Sequence, residues 1–233
     1  ISICRSTGST RSAGGGVVTF PLARGEVVQI VGTAQTDLSG SLVQADKPVQ
    51  VIAGMPCVYQ PMDKGFCDHI EESVPPAETL GKHYFVTSPT GSLGNTPGHI
   101  VRLYGNVDGT QLTYPSTPPP GAPGSINAGQ VVDLGVITLD FEIQGDHEFG
   151  VGSFMLGGSI QDPFTPPPNQ KGDPSMSLAT PVEQYRIKYV SLAPDDYDLS
   201  YADIIVPDGA NVVLDGSAIS APVTPISSGY GVA

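Results

Sequence analysis

The chain has 233 residues and carries ten Lys and Arg against 23 Asp and Glu, a formal net charge of −13. Nucleic acids and anionic lipid headgroups are held by clustered cations, and the chain has none, so the sequence argues against both as partners. It is rich in breakers (29 Gly, 23 Pro), yet 39% of its residues are apolar and fall in short alternating runs, which describes an ordered β protein with long, stiff loops and not a disordered chain.

The opening ISICRSTG lacks the charged and apolar regions of a signal peptide and reads as the interior of a strand, so the chain reads as a mature or trimmed segment. No apolar run approaches the ~18 residues of a membrane-spanning helix, so direct membrane insertion is not expected. Alternation predicts strands at 16–22, 26–31, 41–45, 48–54, 82–88, 99–106, 110–114, 130–134, 137–143, 148–156, 185–192, 202–206 and 210–214. A helical turn or two is expected only near Ile70–Ser73, stopped by Pro75-Pro76. Asp208-Gly209, after Pro207, is the clearest hairpin signal, because both central residues of a type I′ turn need positive φ. Breaker-rich loops occupy 6–16, 115–125 and 163–174.

The strands echo one another. VRLYGNVDGTQLTYP (101–115) answers to ADIIVPDGANVVLDG (202–216), and LARGEVVQI (22–30) to NAGQVVDLG (127–135). A weaker echo relates 42–54 to 141–153, each read as a polar turn between two strands. A period near 100 residues predicts an all-β fold of tandem β-sandwich-like modules, divided as 1–157 and an incomplete 158–233. A propeller-like or strand-exchanged closure is the architectural alternative.

Cys57 and Cys67 flank a nine-residue loop, and a bridge between them would be worth ~2–3 kcal/mol and imply an oxidising compartment. The alternative is two reduced thiols, and Cys4 is left without an assigned partner. Asp68, His69, Glu71 and Glu72 form the densest polar segment, and are read as a ligand-contact group or as carboxylates capping backbone amides beside the bridge. With His83, His69 would centre a metal-dependent hydrolase, but the spacing fits no zinc pattern. Asp195, Asp196 and Asp198 supply hard oxygens suited to Ca²⁺, without the loop spacing of an EF-hand; Asx-turns joining two strands are the competing reading. Gly-x-Ser-x-Gly and Ser-x-x-Lys are absent, and the glycines at 14–16 lack the Lys-Ser/Thr of a phosphate loop. Enzymatic activity is therefore not expected.

Several separated strings share one register: DLSGSLVQADKPVQVIAG (37–54), the two cysteines followed by DHIEE (57–72), LGKHYFVTSP (80–89), DPSMSLATPVEQYR (173–186) and YADIIVPDGANVVLDG (201–216). Together they resemble the N-terminal domain family of the IgG Fc-binding proteins. The resemblance implies an extracellular or cell-surface, non-enzymatic binding or adhesion module with a protein or glycan ligand. The proline-rich loops, and the absence of an Asn-x-Ser/Thr sequon, point within that family to a bacterial, myxobacterial-type member. No residue pattern for contact with Fc can be matched here position by position. The alternative function is a structural subunit of an extracellular filament or sheath, self-associating through strand edges.

Overall fold

The computed structural model describes residues 2–5, 8–11, 16–32, 36–192, 195 and 197–233, with side chains from residue 16 onward. The fold is all-β, built of several antiparallel sheets. Contact density divides the chain into two compact units, Ile1–Ser41 and Leu42–Ala233.

In the first unit, β1 (Ser2–Arg5) is paired antiparallel with β2 (Gly8–Arg11) and β3 (Gln29–Val31). The loop expected at 6–16 thus contains a strand. The side chain of Cys4, which the sequence leaves without an assigned partner, lies outside those described. Before β3, the Ala23 amide donates to Glu26 Oε2 at 2.8 Å around Gly25, whose φ is +84°.

The echo of that segment lies in the second unit, where the Asn127 amide donates to Gln130 Oε1 at 3.0 Å around Gly129, with φ +73°. Each glycine supplies the left-handed residue of a tight turn, and the polar side chain of the next residue closes it by reaching back three positions. The two strings are therefore alike in turn geometry as well as in letters.

In the second unit, β4 (Ile52–Tyr59) and β5 (Cys67–Ser73) form a hairpin. A larger, curled sheet of seven strands follows: β6 (Gly81–Val86), β7 (His99–Gly105), β8 (Thr110–Thr113), β9 (Ser125–Ile126), β10 (Val131–Ile137), β11 (Phe141–Met155) and β12 (Ser175–Leu178). A four-residue helix, α1 (Gly158–Gln161), separates the last two. The chain ends in β13 (Ile205–Pro207), β14 (Val213–Leu214), β15 (Ser217–Ala218), β16 (Thr224–Ser227) and β17 (Tyr230–Val232).

The hub is β11. Its first residues pair with β6 and β8, and its last with β7 and β12. The change of partner falls at 145–148, where the register against β6 jumps between Gln144 and Phe149. That polar GDHE stretch is why the sequence reads as two strands, 137–143 and 148–156, with a turn between them. It is instead a bulge inside one strand, with the Lys82 ammonium on the Asp146 carbonyl and the Gln111 amide on its carboxylate. The bend wraps the sheet around a core of Tyr84, Val86, Val101, Leu103, Ile126, Ile137, Phe141, Ile143, Phe149 and Val151. The buried Tyr84 hydroxyl donates to the Phe149 carbonyl at 2.6 Å and accepts from the Gly81 amide, and burial pushes its pKa up to about 12.

Other expectations need correction. Ile70–Ser73 is strand, not helix: in CDHIEES the single apolar Ile70 is buried while charged neighbours face water. No strand forms at 16–22, 41–45 or 185–192. In the last of these, Ile187, Val190 and Leu192 alternate with polar residues but are each at least 87% exposed, because no neighbouring edge pairs with them. Asp208-Gly209 is a turn with positive φ at Gly209 alone, and the strands on either side of it pair elsewhere, β13 with β17 and β14 with β15. In this C-terminal region the two-residue hairpins are Asp215-Gly216 (φ +49° and +83°) and Ser228-Gly229 (φ +51° and +75°).

Candidate binding surface

The hairpin of β4 and β5 is closed by the Cys57–Cys67 disulfide, with Cα atoms 5.1 Å apart. The bridge shortens the loop of 58–66, and two contacts seat that loop: the Gly157 amide on the Gln60 carbonyl at 2.8 Å and Ser159 Oγ on the Gly65 carbonyl at 3.4 Å. Anchored in this way, the tip displays apolar side chains: Met62 is 87% exposed, Tyr59 44% and Phe66 40%. Farther down the same strand Met55 is half exposed.

Strand alternation divides the four polar candidates of β5 between two faces. His69 and Glu71 share the outer face, with Nε2 and Oε2 3.3 Å apart. Asp68 and Glu72 flank Ile70, whose side chain joins a small cluster with Ile100, Phe154 and Leu156. Both carboxylates accept backbone amides, Asp68 from His69 at 2.7 Å and Glu72 from Ser73 at 2.9 Å. Burial, and then the charge of Asp68, raise the pKa of Asp173 on the segment leading to β12. The four residues thus sit on one strand without converging on one point.

His83 lies on β6, in a different sheet from His69, with Nε2 2.8 Å from Glu142 Oε1. Among the described residues, no three His, Cys, Asp or Glu side chains gather as a metal centre would need. Of the acidic run near 195, Asp195 is exposed, Asp198 pairs with the Lys171 ammonium at 2.5 Å, and Asp196 lies outside the described residues.

No motif marks the most buried carboxylate among the described residues. Glu142 on β11 is fully covered. Burial alone would raise its pKa, but the hydroxyls of Ser228 and Ser227, the Gln144 amide at 2.6 Å and the His83 charge together hold it below the usual carboxylate range. The serines belong to the turn of the β16–β17 hairpin, whose Tyr230 stacks on Phe85 of β6 at 4.6 Å. Glu142 therefore fastens the C-terminal hairpin to the large sheet. The only prior signal was a single Glu in an apolar strand, FEI, which periodicity does not flag.

An all-β chain with a disulfide-closed hairpin and an apolar display at its tip has the layout of a binding domain. The comparisons place it more narrowly. The chain belongs to the IgGFc binding protein family, whose sequence profile matches residues 3–233. It is similar to the human IgGFc-binding protein, 27% identical over 193 residues, which is 82% of this chain and 3% of that protein. The chain thus spans a small fraction of its human relative. No solved structure matches it.

Proposed function

We propose that the chain is a non-enzymatic binding module of a secreted or cell-surface protein, and that it takes a protein or glycan ligand on the tip of the β4–β5 hairpin. The observation that carries this reading is the display of Tyr59, Met62 and Phe66 on a loop held by a disulfide and seated against residues 157–159. Aromatic and Met side chains are enriched where interfaces bind, and a loop fixed in advance loses less entropy on docking. His69 and Glu71 on the outer face of β5 would supply polar contacts at its rim. The disulfide supports an oxidising, extracellular setting. No helix among the described residues is long and apolar enough to cross a membrane. The proline-rich loops and the lack of a sequon support a bacterial, myxobacterial-type member.

The name of the human relative makes the Fc part of immunoglobulin G the first protein to test. The experiment is a glycan and protein array that includes Fc, followed by titration of any hit against Met62→Asp and Tyr59→Ala. Each substitution is expected to weaken binding tenfold or more with an unchanged circular dichroism spectrum. Undiminished binding by both would move the site elsewhere.

A second reading, a structural subunit joined through strand edges, is favoured by β4 itself. Its eight residues IAGMPCVY carry no charge, and among the described residues it is paired only to β5. Exposed edges of this kind template pairing with another chain. Size-exclusion chromatography with light scattering separates the two: a stable monomer at micromolar concentration removes the assembly reading.

A further inference from the structure

One β signal of the sequence, at 185–192, is left unused in the second unit. The segment starts from Tyr185, whose ring meets that of Tyr230 at 6.5 Å. Farther on, the Lys171 ammonium ties the chain down again at Asp198. Between these anchors Ile187, Tyr189, Val190 and Leu192 are all exposed. No backbone group of 187–192 is hydrogen-bonded to a described residue. An alternating β-former with free amides and carbonyls is half of a strand pair.

The open edge of β4 is the other half. The Val74 amide donates to the Val51 carbonyl at 3.0 Å, so Val51 and Ala53 turn their backbone groups toward β5. By alternation Ile52 and Gly54 turn theirs outward, where no described strand pairs with them. The side chains of Ile52, Met55 and, just upstream, Val49 are each at least 50% exposed. Pro56 has no amide and lies at the bulge between Met55 and Val58, so the open run ends there. What remains is a short edge, 52–55, with no charge to keep another strand away.

Charge selects the strand that fits. The net charge of −13 makes two copies repel unless the surfaces that meet are of opposite sign. Segment 185–192, YRIKYVSL, holds Arg186 and Lys188 and no acid. Neither cation takes part in an ion pair among the described residues. Behind the β4 edge, β5 carries Asp68, Glu71 and Glu72 and no Lys or Arg. A strand added to β4 would run about 10 Å from β5, two strand spacings, a gap that Lys and Glu side chains can close between them. The attraction steers and aligns, and burial of the apolar side chains supplies the rest.

We infer that segment 185–192 of one copy adds as a strand to the 52–55 edge of β4 in a second copy. The inference rests on the reading of the chain as a subunit joined through strand edges, and it names both halves of the joint. Donor and edge are different surfaces, so two copies can exchange segments or each can pass its segment to the next.

Light scattering of the full chain from about 1 to 100 µM reads the assembly, and the wild-type mass is expected to rise with concentration. Val190→Pro/Ser191→Pro removes two adjacent donor amides, one of which faces the partner in any register. Ile52→Pro removes an outward amide from the edge. None of these amides is bonded within the described chain, so circular dichroism and Tm should hold. Each variant is expected to weaken association tenfold or more, and Lys188→Glu a few-fold. A fluorescent YRIKYVSL peptide should bind the Val190→Pro/Ser191→Pro chain saturably and the Ile52→Pro chain at least tenfold more weakly. The two chains have the same charge, so non-specific attraction of a cationic peptide would not tell them apart. If Ile52→Pro lowers Tm, the donor variant decides alone, because its changes lie in the exposed segment. A wild-type chain that stays monomeric removes this inference together with the assembly reading. Assembly undiminished in the donor variant, or a peptide that binds it no better than Ile52→Pro, overturns this inference alone and leaves assembly to another edge.

Discussion

At the scale of single residues, two buried ionisable groups set the pH response of the large sheet in adjoining windows. His99 on β7 has no exposure; its Nδ1 meets Ser153 Oγ at 2.6 Å, and its Nε2 has no partner. Burial pushes its pKa from 6.5 down to about 4. The unfolded chain therefore takes up a proton below pH 6.5 that the folded chain refuses until about pH 4, and stability falls across that interval. The full loss is on the order of 3 kcal/mol, since each pKa unit is worth ~1.4 kcal/mol. His99→Phe should flatten this part of a plot of Tm against pH; an unchanged slope would assign the proton to another group. Glu142 acts in the other direction and lower on the scale. With its pKa held below the ordinary Glu value of 4.5, its contribution is complete above that pH and is lost as the pH falls further. Glu142→Gln keeps the shape and removes the charge that its neighbours solvate. It should cost ~1–3 kcal/mol at pH 7 by chemical denaturation, a difference that closes in strong acid. If the difference persists at pH 2, the cost is one of packing and not of charge.

At the scale of elements, the disulfide-closed hairpin is the feature most easily checked. The bridge between Cys57 and Cys67 closes a loop of about ten residues and should stabilise by ~2–3 kcal/mol. Replacing both cysteines by Ser should lower Tm and open the 58–66 loop to protease first, as mass spectrometry of the early cuts would reveal. Cleavage elsewhere would mean that the contacts at Gly157 and Ser159 hold the loop without the bridge. Pairing of these two cysteines was legible because the intervening loop is short and carries turn formers at Pro61, Asp63 and Gly65. The strand that carries Cys67 was not, because five of its seven residues are polar or charged and only Ile70 records its inner face. Turn chemistry was legible in kind but not in place. Asp-Gly signals a hairpin only where the flanking strands have each other as nearest partners, as at Asp215-Gly216 and not at Asp208-Gly209. Pairing is a property of the sheet, and local letters cannot encode it. The same holds for 185–192, whose alternating pattern meets no edge, and for β11, whose internal bulge reads locally as a turn.

At the scale of the whole molecule, the burial pattern separates what holds the fold from what the chain displays. Every described buried apolar side chain lies between Ile70 and Val206, inside the second compact unit. The sequence echo near 100 residues survives as matching turns at Gly25 and Gly129, one in each unit, but the strands that follow enter sheets of different size. Local repetition therefore carries turn geometry, while the extent of each sheet depends on how many partners the rest of the chain supplies. The Glu142 node was invisible in the sequence for a related reason: it joins Glu142 to Ser227 and Ser228, more than 80 positions away. A chain of residues 42–233 contains the whole described core, both pH-sensitive groups and the disulfide. It should fold without residues 1–41, with a Tm within about 4–8 °C of the full chain's, the shift worth roughly 1 kcal/mol in a domain of up to 100 residues and less in a larger one. The drop near His99 and the loss near Glu142 should both persist in its pH profile. Circular dichroism melts of the two chains side by side check this. A truncated chain that melts far lower, or without cooperativity, would mean that the first unit completes a core shared by both.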